Sequence, residues 1–217
     1  MKKIEYKFIL IGNSDVGKTS ILRFLTIGEF PEDTISTIGV DKKTIDVSFE
    51  VDENNTKIKK DFIISLFDTA GQEKFRSIAR NYYKGSDGIL LLYDITNRKS
   101  FENIEIWIDS ITESLGKKGD SKYVIILIGN KLDLVTQGKE ERKVSEEEAE
   151  EICQKNKMIW GGERSIKSLK FDELKKLFDG YVKDVYNEIG EKFGKEQKTK
   201  KIDKYKKKST CCIAQLM

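Results

Sequence analysis

Histidine is absent from the 217 residues, which excludes catalytic triads built on imidazole and metal sites built on histidine. Any acid–base chemistry therefore falls to other groups. Cysteine is scarce, with three residues in all. Cys153 sits in a helix-like segment and reads as a packed side chain. Cys211 and Cys212 are adjacent, closer in sequence than ordinary disulfide geometry favours, so a reducing, cytosolic setting is expected. Long apolar runs are missing too. The run from Phe8 to Ile11, behind an N-terminal lysine pair, is too short for a signal-peptide core or a membrane span and reads as a buried strand.

What is present is charge and a moderate apolar fraction, 35% and 38% of the residues. That balance describes a soluble globular chain, long enough for one domain and a terminal extension of a few tens of residues. Glu191 to Met217 carry nine lysines against three acids, a surplus of six positive charges. The whole chain is only +3, so the remainder is net −3. Attraction to an acidic surface belongs to that tail.

Four short apolar runs, Phe8 to Ile11, Phe62 to Phe67, Gly88 to Tyr93 and Tyr123 to Ile128, alternate with helix-like stretches and suit strands buried on both faces. Phe101, Ile104, Ile108, Ile111 and Leu115 recur at helical spacing. Ser145 with Glu148 forms a capping-box pattern that opens a helix through Asn156. A last helix is expected from about Phe171, with a stripe of Leu174, Leu177, Phe178, Tyr181, Val182, Val185 and Ile189. Thr44 to Val51 and Ile58 to Phe67, around Asp52-Glu53-Asn54-Asn55, read as a hairpin. The pattern predicts an α/β fold whose ligand sits at the carboxyl ends of a mainly parallel sheet. Residues 1–190 are expected to form the domain and 191–217 a lysine-rich flexible tail.

The motifs fall at those strand ends. Gly12-Asn13-Ser14-Asp15-Val16-Gly17-Lys18-Thr19 matches the phosphate-binding loop pattern between a strand and a helix. The backbone from Ser14 to Ser20 would surround phosphates, Lys18 would bridge the β- and γ-phosphates, and Thr19 would place its hydroxyl on Mg²⁺. Such a loop does not distinguish GTP from ATP. Asn130-Lys131-Leu132-Asp133 does, because the Asp133 carboxylate can accept from the guanine N1–H and 2-amino group, donors that adenine lacks in that arrangement. Alone the tetrapeptide resembles an ordinary turn; some 110 residues after a phosphate loop it selects a base. Asp68-Thr69-Ala70-Gly71-Gln72 follows a strand. Asp68 suits a water-mediated hold on Mg²⁺, Gly71 offers an N–H to a γ-phosphate, and Gln72 can orient an attacking water.

Together GNSDVGKT, STIGVD, FDTAGQEKF, YYKGSDGILLLYDIT and NKLD resemble the Rab branch of the Ras-like small GTPases, from about Tyr6 to Asp133. The resemblance implies a three-layer phosphate-loop G domain: a six-stranded, mostly parallel sheet with one antiparallel edge strand and helices on both faces. It implies a monomeric GTP/GDP switch that hydrolyses GTP slowly with Mg²⁺, through Gln72, Lys18 and Thr37. Thr37 would ligate Mg²⁺ in the GTP state, Phe30 would lie against guanine, and Ser165 and the N–H of Ile166 would border the base. No internal arginine finger is marked, so activating proteins, exchange factors and effectors are the implied partners, and nucleic acid is not among them. A GTP-locked scaffold and an ATP-dependent phosphotransferase are the alternatives.

The sequence departs from the family at Lys42, Phe67 and Tyr82, where an aromatic effector surface is usual. Its hairpin also looks about eight residues longer than is common. Cys211 and Cys212 after a polybasic stretch resemble doubly prenylated ends, although Ile213 to Met217 follow them. The Rab resemblance implies a switch in vesicle-mediated transport, and a prenylated end would place it on the cytosolic face of an intracellular membrane, cycling with the cytosol.

Overall fold

Alternate residues of the strand Ile4–Gly12 (β1) pack in opposite directions, Phe8 and Leu10 into one core layer, Ile9 and Ile11 into the other. A strand buried on both faces belongs in the middle of a sheet, and β1 lies there. The computed structural model describes residues 3–30, 40–53, 56–69, 81–116 and 123–190. Its strands are β1, β2 (Val40–Glu53), β3 (Thr56–Thr69), β4 (Gly88–Asp94), β5 (Val124–Asn130) and β6 (Ile159–Glu163). They are ordered β2-β3-β1-β4-β5-β6, with β2 antiparallel to β3 and every other neighbour pair parallel. This is the expected sheet with its antiparallel edge strand. β4 and β5 are buried at every position, as uninterrupted apolar runs predict.

Helices cover both faces. Lys18–Ile27 (α1) and residues 171–190 (α6) lie over one layer, where Leu174, Phe178, Val182 and Val185 form the predicted stripe and Phe178 packs 5.6 Å from Phe8. Arg98–Glu102 (α2), Ile104–Leu115 (α3) and Glu146–Asn156 (α5) lie over the other. The Ser145 capping box is formed in both directions, and Cys153 is buried within α5. A short helix, Leu132–Thr136 (α4), follows β5.

Two local readings change. The stripe from Phe101 to Leu115 is divided by a turn at Asn103 into α2 and α3, and Trp107, outside the predicted stripe, is buried beside Ile104 and Ile111. Ile108 and Leu115 are only partly covered. An indole offers more apolar area than an isoleucine, so packing turns the helix toward Trp107. The hairpin is also longer than its apolar cores, 14 residues per strand, pairing from Val40–Thr69 to Glu53–Thr56. β1 pairs β3 only from Phe62 onward, so the hairpin end projects past the sheet. Phe49 stacks on Phe62 at 4.7 Å, and Tyr186 of α6 meets both rings edge-on, anchoring the projection. The intervening Asn54 and Asn55 lie outside the described residues.

Candidate functional site

The carboxyl ends of β1, β3, β4, β5 and β6 are Gly12, Thr69, Asp94, Asn130 and Glu163, and the motif residues gather around them. After β1 the chain must turn closely over β4. Gly12 has φ 136°, and a Cβ there would meet the Leu92 carbonyl oxygen at 2.3 Å. Ser14 and Asp15 form the exposed crest, Asp15 in the left-handed region at φ 62°, while Val16 is buried beneath it. Gly17 at φ 101° opens α1, and a Cβ on it would sit 2.2 Å from Asn130 Nδ2. Glycine therefore serves backbone conformation and close approach at the same position.

Asn130 joins three segments. Its Nδ2 donates to the Val16 carbonyl at 2.9 Å, and its Oδ1 accepts from the Ile166 N–H at 3.2 Å. The residue is 5% exposed, so these bonds replace hydration it has lost. Nearby, Ser165 Oγ donates to Asp133 Oδ1 at 2.6 Å, and the Leu132 N–H donates to the Arg164 carbonyl. The loop after β6 is thereby fastened to the residues after β5. Arg142 braces it from below, its guanidinium held bidentately by the buried carboxylate of Glu163 and donating also to the Val144 carbonyl. Lys131, at φ 70°, pairs its ammonium with Asp94 at 2.7 Å.

The phosphate-loop side is equally constrained. Lys18 is buried and donates to the Asn13 carbonyl at 2.6 Å; burial draws its pKa down to about 8, against the opposing pull of Asp68 and Asp15. Asn13 is held from the other side as well, because Trp107 Nε1 on α3 donates to its Oδ1 at 3.0 Å. Thr19 Oγ1 donates to Asp68 Oδ2 at 2.6 Å, and Thr69 Oγ1 ties the same strand end to the Leu10 carbonyl. Ser20 is buried in the first turn of α1. A Lys-Thr-Ser turn at a helix N-terminus thus faces a fully buried aspartate.

A model described as "Ras family" matches residues 7–187 of this chain. The chain belongs to the Ras family. Similar proteins carry Rab names: "Ras-related protein rab-39" of Caenorhabditis elegans is 41% identical over 71% of this chain and 62% of its own length. "Ras-related protein Rab11A" of Lotus japonicus is 36% identical over 88% and 76%, and "Ras-related protein Rab-30" of Homo sapiens 38% identical over 80% and 76%. The chain thus spans less than two thirds of the first of these and about three quarters of the other two. It is a small GTPase of the Rab type.

In this Ras-family protein the structure brings Ser14 to Ser20, Asp68, Asn130, Lys131, Asp133, Ser165 and Ile166 to one end of the sheet. Phe30 lies just past α1, half-buried, edge-on to Phe24 at 6.2 Å. Thr37, Gly71 and Gln72 lie outside the described residues, as do Cys211, Cys212 and the whole of 191–217. Asp94, Trp107 and Arg142 border the site but were passed over in reading the sequence, and Asn13 was named there only as part of the loop motif. Asp94 and Trp107 left a trace, one ending an apolar strand run and the other three residues after Ile104 on a helical stripe. The Arg142–Glu163 pair left none. Thr19 hydroxyl and Asp68 carboxylate are hard oxygen donors suited to Mg²⁺. Among the described residues no cluster of three Cys, Asp or Glu could hold a metal alone, so these two would share a shell completed by other oxygens.

Proposed function

We propose that this protein is a guanine-nucleotide switch that binds GTP and GDP with Mg²⁺ and hydrolyses GTP slowly. The reading is carried by the Asn130 amide, which ties Val16 of the phosphate loop to Ile166 of the base loop, with Ser165 bonded to Asp133 beside it. That arrangement holds a base reader at fixed reach from a phosphate cradle, the pre-organisation tight binding needs. Asp133 would exchange its Ser165 bond for, or share it with, the guanine N1–H and 2-amino donors. Lys18 would leave the Asn13 carbonyl for phosphate oxygens, and the charge it meets there would restore the proton affinity that burial has lowered. Thr19 and Asp68 are the residues that would hold Mg²⁺, directly and through water. When bound, the ion neutralises developing charge on phosphate oxygens.

Thr37 and Gly71 would contact the γ-phosphate, so the loops bearing them would present one surface with GTP and another with GDP. Gln72 would orient the attacking water. A partner would supply the missing transition-state charge, worth roughly 10³ to 10⁵ in rate. Prenylation at Cys211 and Cys212, aided by the basic tail, would attach the switch to the cytosolic face of an intracellular membrane for vesicle-mediated transport. Among the described residues no helix is long and apolar enough to cross a membrane.

Competition against a fluorescent guanine nucleotide tests the base assignment. Unlabelled GDP and GTP should displace it, while ATP should fail even at roughly a thousandfold excess, given the penalty for an unpaired carboxylate. Equal displacement by ATP would remove the reading.

A further inference from the structure

A buried indole carries one polar atom, and the acceptor that atom finds decides what the ring holds besides its apolar neighbours. Trp107 of α3 is 1% exposed and packs in the same core layer as Ile104 and Ile111. Its Nε1 donates to Asn13 Oδ1 at 3.0 Å, a link between positions 94 residues apart in the chain. Trp160, the second indole of the chain, instead donates to Glu146 Oε1 at 3.2 Å in an exposed bond.

Asn13 is the second residue of the phosphate loop, directly after the turn at Gly12. It is fastened twice: its side-chain oxygen accepts from Trp107, and its main-chain oxygen accepts from Lys18 Nζ at 2.6 Å. Farther along the loop, the Val16 carbonyl accepts from Asn130 Nδ2 at 2.9 Å. Ser14 and Asp15, between these two points, are exposed. The crest of the loop therefore hangs between two pins, one set by the end of β5 and the other by α3. Under the switch reading Lys18 turns its ammonium toward phosphate oxygens, which weakens its hold on the Asn13 carbonyl while the bond from Trp107 stays. A loop that must present N–H groups to an anion loses pre-organisation when either pin is lifted.

We propose that Trp107 is a positioning residue of the nucleotide site: its indole N–H, acting through Asn13, holds the phosphate loop in the shape that Lys18 and the crest N–H groups need, and so sets how slowly guanine nucleotide leaves. Apolar packing alone does not account for an indole at this point, since a phenyl ring would fill much of the same layer without requiring an acceptor. The acceptor, moreover, belongs to the loop and shares a residue with the Lys18 bond. The proposal deepens the switch reading, on which it rests, by assigning a part in nucleotide retention to a helix outside the motifs.

Release of preloaded fluorescent GDP from the full chain into excess unlabelled GDP, with Mg²⁺ present, tests it. Trp107→Phe keeps a ring and removes the donor, whereas Asn13→Ala removes the acceptor and leaves the core under α3 intact. Each should speed release by about fivefold or more, the worth of one hydrogen bond. The double variant should exceed the faster single variant by no more than about twofold, because both changes break the same link. Trp160→Phe should release at the rate of the unaltered chain. The two indole N–H signals of a ¹H–¹⁵N NMR spectrum separate positioning from stability. That of Trp107, assigned by elimination with Trp160→Phe, should move when GDP is stripped and again in Asn13→Ala. Unchanged release in both single variants, effects that multiply in the double variant, or a Trp107 signal indifferent to Asn13→Ala would overturn the proposal. Should Trp107→Phe fail to fold, Asn13→Ala and the indole signal decide the matter alone. An unaltered chain that retains no guanine nucleotide would remove the switch reading and the proposal together, whereas firm retention by the chain and both variants alike removes the proposal only.

Discussion

On the proposed reading Asp133 would carry base choice through its carboxylate, whose hydrogen-bond partner among the described residues is Ser165 Oγ at 2.6 Å. Replacing it with alanine should therefore cost binding and not folding. Two charge-assisted bonds to guanine, at about 1.5–3 kcal/mol each, predict a loss of roughly 10² to 10⁴ in GDP affinity with an almost unchanged urea midpoint. Calorimetric titration checks the first and denaturant unfolding the second. Gly17 is the converse case. A Cβ there meets the amide nitrogen of Asn130 at 2.2 Å and requires φ 101°, so Gly17→Ala should destabilise the nucleotide-free protein by about 1–3 kcal/mol as well as loosen the Asn130 clamp. The motif letters marked these residues; they did not reveal that the glycine of one motif makes room for the asparagine of another. That juxtaposition arises from the parallel crossovers, which no local pattern records.

At the scale of elements, the sheet and its crossing helices were legible because their apolar runs have clean periods. β4 and β5 are continuous, α5 carries its own cap, and the stripe of α6 is uninterrupted. The division at Asn103 was not legible, since a 3.6-residue period continues across a single-residue turn. Nor was the Arg142–Glu163 pair, which joins the segment before α5 to the end of β6 by long-range packing alone. Arg142→Met should leave the buried Glu163 carboxylate without its bidentate partner and cost about 2–4 kcal/mol, read by urea unfolding. The junction before β4 supplies a pH signature. Asp87 accepts from the Lys7 N–H at 2.8 Å, yet burial raises its pKa to about 6 from an ordinary value of 3.8. Between those values the folded chain keeps a proton that the unfolded chain has released, so this group's contribution to stability falls as pH rises from about 4 to 6. Asp87→Asn should flatten that part of the stability profile by up to about 2 kcal/mol after allowance for solvent screening.

The whole molecule divides its tasks by position. The residues proposed for base reading and phosphate binding share one end of the sheet with the strand-end aspartate, while the hairpin projects past the N-terminal end of β1, clasped by Tyr186 of α6. Charge is divided too, with the +6 surplus confined to 191–217 and the remainder net −3. Membership of the Ras family was readable from ordered motifs over most of the chain, whereas partner identity was not, because side chains such as Lys42 depart from the family pattern. Turnover belongs to this scale because the proposed reaction needs loops from both sides of β3. In a single-turnover assay Gln72→Leu should slow phosphate release by about tenfold or more while leaving GTP affinity within about threefold. The most direct measurement is the identity of the nucleotide carried by the purified full-length chain, resolved by chromatography after denaturation, together with its release rate before and after Mg²⁺ chelation. About one equivalent of GDP or GTP, released faster once Mg²⁺ is chelated, is the predicted result. Absence of guanine nucleotide, with no Mg²⁺-dependent uptake of added GDP, would contradict it.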